Sequence, residues 1–535
     1  MAYDVCILAA GFGTRVTAFN GQLHKALLPL GNMAVLSRIM RAFSDGTRFV
    51  VALGHRADQI RDYLAMAHPE ADVTFVTVDN VDGPGSGPGT SLGCCRPALP
   101  GPFVFTSCDT LIDGDIPPPD RNWIGVQRAE NPERWCTVEC DADGRAVRLH
   151  DKSPDGTPLA FVGIAGVHDA ERFWSSLGAI GAKGEVQVAP GLEALIPAGL
   201  APVEMAWIDT GTDADFRGAM ARYEKNYTFE GKTTDVTYRL GDRVVKLFFD
   251  PAAAHRRYVR GCANAAAFAP VLGVQGHCCA YRFIPDSHLL SKGLDGPGCR
   301  RALDWLQERF WAPAPIDDAA FEAACRRFYT DKTLGRLDAF LRLHGLDGEA
   351  GTLVLNGRPC PTVRAMTAAA EERMHGGALA STFHGDLHAD NMLVTGDGYC
   401  LIDWRDDFAG LTEVGDRYYD LAKFFHTLDL SVEVMDAGDY RVETLADDAL
   451  RIGHRFDAAL EEAQAAFWDF AAANGYDRTR IALLNGLIFI NMAPLYDRPM
   501  GRYLYLLGRL RMAEALAGAG PSAIGTTLAE DAAAL

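Results

Sequence analysis

Positive charge is scarce in this chain of 535 residues: 51 lysines and arginines stand against 70 aspartates and glutamates, a formal net charge of −19. Binding along a phosphate backbone needs a basic surface, so this balance argues against nucleic acid as a partner. The same reasoning argues against anionic membrane surfaces. Long hydrophobic runs are missing too. No stretch approaches the roughly 18 to 20 apolar residues that cross a bilayer, so no membrane insertion is expected. The start, Met1-Ala-Tyr-Asp-Val-Cys-Ile-Leu, lacks a basic n-region and runs straight into a strand pattern, so no signal peptide is expected. There is no Cys-x-x-Cys. The thirteen cysteines are scattered, odd in number and adjacent only at Cys94-Cys95 and Cys278-Cys279, which suggests neither a disulfide framework nor a zinc site. They read as reduced thiols of a cytoplasmic protein. Internal repeats are absent as well.

What is present is an ordinary globular composition, 48% hydrophobic and 23% charged. The length exceeds what one core supports, so two or more domains are expected. From Asp4 to about Tyr223, short apolar runs (Val5–Ala9, Phe49–Leu53, Val73–Val78, Phe103–Thr106) alternate with helical stretches (Ala34–Phe43, Ala57–Ala67). That alternation predicts βαβ units and a mostly parallel sheet. Shorter strand-like runs follow at Trp123–Gln127, Thr137–Glu139 and Phe161–Val167. Near residues 224–230 the pattern changes. Val236–Leu240 and Arg243–Phe249 read as an antiparallel hairpin around Gly241-Asp242. Helical patterns dominate from about Ala252, with strand-like runs near Tyr281–Ile284 and Tyr399–Ile402, and Ala446–Ala517 reads as helical almost throughout. The tail, Gly518–Leu535, reads as disordered. The expected division is therefore 1–224, 225–517 and a tail of 518–535.

Two segments carry chemistry. In the second half, His384-Gly-Asp-Leu-His-Ala-Asp-Asn391 precedes Leu-Ile-Asp403-Trp on a short apolar strand. An aspartate five residues before an asparagine, with a further aspartate about a dozen residues on, supplies the parts that phosphoryl transfer from ATP needs. Asp386 can orient and deprotonate a hydroxyl, while Asn391 and Asp403 can hold magnesium against the triphosphate. In the first half, Leu8-Ala-Ala-Gly-Phe-Gly-Thr-Arg15 follows a strand directly. Small residues there (Ala9, Ala10, Gly11, Gly13, Thr14) let a backbone approach a triphosphate and present N–H groups to it. Arg15 and Lys25 add cations.

The combination Leu-x-x-Gly-x-Gly-Thr-Arg followed by Lys-x-Leu-x-Pro-Leu resembles the nucleotidyltransferase superfamily that joins an NTP to a phosphorylated sugar or to phosphocholine. The resemblance covers about residues 3–222 and implies a Rossmann-like sheet. It also implies magnesium ligands at Asp109 and Asp209 and a base-facing segment at Gly89, Thr90 and Ser91. Lys152 is implied to grip the acceptor's phosphate, with Gly163 and Glu185 lining that pocket. The acceptor phosphate would attack the α-phosphorus of the NTP, and pyrophosphate would leave. One departure is His24-Lys25, where the family has Pro-Lys; it weakens any transfer of base specificity. His-Gly-Asp-Leu-His-x-x-Asn with Ile-Asp-Trp resembles the aminoglycoside phosphotransferase and choline kinase superfamily, over about residues 228–515. It implies an α+β, protein-kinase-like fold with an ATP-anchoring Lys246 and a phosphate-facing turn that includes Gly231, Thr233 and Thr234. It also makes Asp386 the catalytic base. A second departure concerns Lys246. Such kinases pair this lysine with a glutamate on the next helix, yet Ala252–Ala269 contains arginines and no acid.

The chain as a whole is thus expected to be an α/β enzyme with two magnesium-dependent sites and small-molecule substrates. ATP would phosphorylate a hydroxyl at the C-terminal site. The product would be coupled to a second NTP (CTP, UTP or GTP) at the N-terminal site, giving an NDP-sugar for surface polysaccharide. Choline or another amino alcohol, held by aromatics such as Trp305, Trp311, Trp404 or Tyr418, is the competing acceptor. A catalytically dead nucleotide-binding scaffold is the reading from another class.

Overall fold

The structure is a computed structural model and describes residues 3–151, 156–178, 184–223, 234–456 and 458–520. Residues up to Tyr223 pack with 234–254 and Gly273–Ala280 as one compact unit; His255–Leu272 and the chain from Tyr281 onward form a second. The packing therefore counts the hairpin after residue 233 with the first unit.

The first unit is built on β1 (Asp4–Ala9). Val5, Cys6, Ile7 and Ala9 are fully buried, the continuous apolar run of a strand covered on both faces. The chain then passes through α1 (Val35–Arg41) to β2 (Arg48–Leu53), through α2 (Ala57–Ala67) to β3 (Val73–Thr77), and through α3 (Pro88–Cys95) to β4 (Phe103–Ser107). β2 pairs parallel with β1, and β3 with β2, whereas β4 pairs parallel with the other edge of β1. Strand order therefore reverses between β1 and β4. The crevice at the carboxyl ends of two such strands is where open α/β sheets bind ligands. A short β5 (Thr110–Asp113) follows, and β6 (Leu159–Val167) returns antiparallel to β4. The expected mostly parallel sheet is thus parallel on one side of β4 and largely antiparallel beyond it, where, among the described residues, Ala201–Glu204 alone pairs parallel, with Trp123–Arg128. β7 (Ala206–Asp209) pairs with β5 rather than with the main sheet, placing Asp209 opposite Thr110.

The expected hairpin is β8 (Asp235–Leu240) and β9 (Arg243–Phe248), with Gly241 at φ 57° in a two-residue turn. Val236, Tyr238 and Leu240 alternate inward and join a core with Leu27, Tyr63 and Leu64. The Tyr238 hydroxyl donates to the Leu27 carbonyl at 2.5 Å, satisfying a polar group inside that core.

α4 (Pro251–Ala263), which enters the second unit at His255, ends six residues before the expected Ala269; Phe268 instead bridges to Leu401 as extended chain. The strand expected at Tyr281–Ile284 spans Cys278–Arg282. Further on come α5 (Lys332–His344), a hairpin of Met392–Thr395 and Gly398–Leu401, and α6 (Arg417–Asp429). The expectation of near-continuous helix from Ala446 is corrected. Tyr440–Ala446 and Ala449–His454 form an antiparallel pair before three helices, Ala458–Ala473, Arg478–Met492 and Arg498–Leu516. The reason is period-two burial: Leu450 and Ile452 are buried on either side of exposed Arg451. Among the described residues, no helix is long and apolar enough to cross a membrane. Residues 521–535 of the expected disordered tail lie outside those described.

Candidate functional sites

In the first unit the loop after β1 meets the ends of β4 and β7. Ala9 and Ala10 are buried at the strand end, and Gly11, Gly13 and Thr14 continue from them into the loop. Gly13 has φ 64°, and a Cβ there would press on the Lys25 stem at 3.1–3.2 Å, so glycine lets the loop close over the lysine. Lys25 follows His24, which caps a short 3-10 turn by accepting the Ala26 N–H on Nδ1. The Lys25 ammonium lies 2.8 Å from Asp109 Oδ2. Burial alone would push Asp109 up, but Lys25 outweighs it and holds the carboxyl below its usual range.

Asp209 is brought to the same place. A Cβ built on Gly211 would lie 3.1 Å from Asp209 Oδ1, 3.3 Å from Asp109 Oδ2 and 3.7 Å from an Arg15 Nη2, so all three groups converge on one glycine. The Gly211 N–H donates to Asp209, and Thr210 donates to the Asp109 carbonyl. Burial, then repulsion from Asp109, raises the Asp209 carboxyl to about 6. Two hard oxygen donors that repel each other suit magnesium, which keeps few protein ligands and takes the rest from water and phosphate. Gly163, at φ 88°, adjoins this cluster through Thr110 and Ser107.

The glycine-rich segment forms a second feature. Gly85 N–H donates to the Gly184 carbonyl, Gly89 N–H to Val186, and Val186 N–H back to Ser86. A Cβ on Gly87 would meet Glu185 at 3.2 Å, so the loop and the Glu185 segment lie against each other. The hydroxyls of Thr90 and Ser91 are spent on the carbonyls of Gly85 and Gly87. Lys152, Gly231 and Thr233 lie outside the described residues.

On the hairpin, Lys246 is buried and its ammonium lies 3.2 Å from Asp235 Oδ1. Thr234 donates its hydroxyl to the other oxygen of Asp235 at 2.8 Å. The acid missing from the following helix stands on the neighbouring strand.

In the second unit the His384–Asn391 segment is braced from inside. Asp420, fully buried on α6, accepts the N–H groups of His384 (2.7 Å) and Gly385 (2.8 Å) and the Trp311 indole N–H (3.2 Å). Burial lifts its carboxyl to about 6. His384 accepts the Asp386 N–H on Nδ1, which leaves Nε2 to donate to the Ile402 carbonyl at 2.8 Å. The ring is therefore neutral, and burial pulls it down to about 3. Asp386 projects outward with 37% of its side chain exposed, and Lys423 Nζ lies 2.8 Å from its Oδ1. Burial would raise this carboxyl; Lys423 and His388 overcome that and hold it well below the usual range. Asn391 Nδ2 donates to the Asp386 carbonyl at 2.9 Å, which commits the amide nitrogen and leaves its oxygen for a cation. Ile402 N–H donates to the Asn391 carbonyl, tying the Asp403 segment alongside. Asp403 itself sits at φ 59°, a strained position for a non-glycine residue. Arg257 of α4 donates to its Oδ1 at 2.6 Å, and Arg256 to Asp406.

Lys423, Arg257, Asp235 and Gly211 were not singled out from sequence. A usable signal existed for one of them: Asp420-x-x-Lys423 puts an acid and a base on one helix face.

Each unit thus holds its own carboxylate and cation centre. Residues 5–116 match the MobA-like NTP transferase domain, and residues 358–468 match the phosphotransferase enzyme family. The chain joins a nucleotidyltransferase domain to a phosphotransferase domain. Among curated proteins, the bifunctional protein GlmU of Methanococcus vannielii is 23% identical over 236 residues, 42% of this chain and 55% of that protein. GlmU of Ralstonia nicotianae is 30% identical over 168 residues, 29% of this chain and 35% of that protein. The chain thus spans about half or less of the length of these relatives. The solved inositol-1-phosphate CTP transferase from T. maritima is 15% identical, with a TM-score of 0.35, covering 42% of this chain and 98% of that one. A UDP-glucose pyrophosphorylase complexed with UDP-glucose is 16% identical with a TM-score of 0.36 and the same coverage.

Proposed function

We propose that the two domains, 1–224 and 225–517, catalyse consecutive steps. The C-terminal domain phosphorylates a small-molecule hydroxyl with ATP. The N-terminal domain couples that phosphate to a second NTP with release of pyrophosphate, giving an NDP-activated precursor such as an NDP-sugar for surface polysaccharide. The observation that carries this reading is that each matched domain holds its own aspartate with a lysine 2.8 Å away, Asp109 with Lys25 and Asp386 with Lys423. The thirteen free thiols agree with a cytoplasmic site of action.

At the C-terminal site, Asp386 accepts the hydrogen bond of the substrate hydroxyl. Because Lys423 keeps it a weak base, it orients that hydroxyl first and takes the proton as the bond to phosphorus forms. Lys246, held by Asp235, and Thr234 belong to the ATP-binding set. At the N-terminal site the acceptor phosphate is already a nucleophile. Arg15 and Lys25 stabilise charge on the triphosphate, the Ala9–Thr14 backbone cradles it, and Gly89 to Ser91 face the base. Lys152, Gly163 and Glu185 receive the acceptor. Magnesium held by Asp109 and Asp209, and by Asn391 and Asp403, would neutralise phosphate charge at the two sites.

A choline acceptor is less well served. Trp311, Trp404 and Tyr418 are buried, with the two indole N–H groups spent on Asp420 and the Arg257 carbonyl, and half-buried Trp305 packs edge-on against Tyr399. The test is purified protein with ATP, each further NTP and a panel of alcohols, reading ADP and pyrophosphate. Both should appear with one alcohol and one NTP. ADP without pyrophosphate would refute the coupled reading, and nucleotide binding with release of neither would favour the inert scaffold.

A further inference from the structure

We propose that Lys332, Arg336 and Arg405 form an anion subsite beside Asp386, and that the alcohol phosphorylated there carries a carboxylate or phosphate of its own. The inference rests on the kinase reading of Asp386.

Lys332 and Arg336 are four residues apart on α5 and so share one face. The Lys332 ammonium lies 4.1 Å from the centre of the Phe328 ring and 5.9 Å from that of Tyr419. The Arg405 guanidinium lies 5.4 Å from the same Phe328 ring, so the two cations share one aromatic support. Arg405 is pinned next to the catalytic loop. Its backbone N–H donates to the His384 carbonyl, and a Cβ on Gly385 would meet its side chain at 2.9 Å. Gly385 at φ 85° therefore makes room for this arginine immediately before Asp386.

The cations nearby are otherwise engaged. Lys423 holds Asp386, Arg257 holds Asp403 and Arg256 holds Asp406. Among the described residues, Lys332, Arg336 and Arg405 have no ion pair, and the Arg405 Nε is buried without a hydrogen-bond partner. In a chain with 19 more acidic than basic residues (70 against 51), three half-buried cations without a carboxylate are a costly arrangement. Burial, followed by Arg405, Arg336 and Lys423, pulls the Lys332 ammonium well below its ordinary range, and Asp386 does not offset this. An anion between them relieves the repulsion. A quaternary ammonium or polyamine acceptor would add to it.

The anion has two possible sources, an acidic group on the acceptor or a phosphate of ATP, and kinetics separates them. ADP release is measured with pairs of alcohols differing by one acidic group, glucose against glucuronate and glycerol against glycerate. The acidic member is expected to be favoured at least tenfold in kcat/KM. Arg405→Gln and Arg336→Gln should collapse that preference, with Arg405→Lys restoring part of it. Equal use of both members overturns the subsite and leaves the kinase reading intact. A rise in KM for ATP with the preference unchanged assigns the cations to the nucleotide and also overturns it. If neither these pairs nor the wider panel of alcohols yields ADP, the kinase reading fails, and thermal denaturation decides the subsite separately. Stabilisation by the acidic alcohol alone, lost in Arg336→Gln, supports it; equal response to acidic and neutral alcohols sinks it.

Discussion

The two aspartate centres solve the same electrostatic task in opposite ways. In the first unit Asp109 and Asp209 converge on Gly211, and Lys25 pairs directly with Asp109. Asp209 is left with a raised carboxyl, first through burial and then through repulsion from Asp109. Lys25 and Arg15 do no more than balance the two carboxylates there, and the Asp209 carboxyl stays raised, which suits a divalent cation. In the second unit Asp386 and Asp403 each have a cation, and three further basic side chains stand close by with no ion pair among the described residues. That centre has positive charge to spare, the condition under which an anion binds. Aspartates in a cleft therefore say little alone; the count of cations around them indicates what the cleft accepts.

The comparison breaks most visibly if either centre is removed. Asp386→Asn should lower ADP formation by about 10²- to 10⁴-fold, the usual contribution of a positioned general base, and leave pyrophosphate release from a supplied phosphorylated acceptor unchanged. Lys25→Ala should do the reverse, lowering pyrophosphate release by about 10²- to 10³-fold while ADP formation persists. Loss of both activities in either folded variant would show that the centres are not separate.

A third effect tests a feature common to both centres. Each loop is braced by a buried neutral histidine, His24 beside Lys25 and His384 two residues before Asp386, and burial lowers both to about 3. In the unfolded chain a histidine titrates near 6.5. Between about pH 6.5 and 3 the unfolded state therefore binds a proton that the folded state refuses, so stability falls with pH across that window. Wild type should lose stability relative to His24→Gln by about 1.4 kcal/mol per pH unit below 6.5, or about 2 kcal/mol at pH 5. Urea unfolding at pH 7.5 and pH 5 measures it, and a difference independent of pH would contradict the neutral, buried assignment.

Much of this was legible in the sequence. α2 spans the expected Ala57–Ala67, and the hairpin turns at Gly241, because apolar spacing and a turn glycine are local signals. The Gly-rich loop and the His-Gly-Asp segment were legible because phosphate chemistry constrains neighbouring residues. The cation partners were not. Asp109 and Lys25 are 84 residues apart, and Arg257 and Asp403 are 146 apart, so only the folded chain pairs them. Ala449–His454 is hidden in the sequence because a short alternation sits beside long helical patterns.

The smallest expected effect concerns Lys246, where sequence and structure part most instructively. The next helix lacks an acid because its arginines serve the second centre, Arg257 on Asp403 and Arg256 on Asp406. An acid on that face would compete with Asp403 and Asp406 for them. The lysine's partner comes instead from the hairpin. Asp235 pairs with Phe248 and Thr237 with Lys246, which makes Asp235 and Lys246 diagonal neighbours across two strands. A lysine fixed by its own hairpin keeps its position whether or not the following helix moves. Asp235→Asn should therefore raise the KM for ATP by a factor of about three to ten, roughly one lost charge-assisted contact, with pyrophosphate release unaffected. If the KM for ATP stayed at the wild-type value, Lys246 would not depend on Asp235 for its position. If pyrophosphate release fell instead, the hairpin would serve the first centre with which it packs.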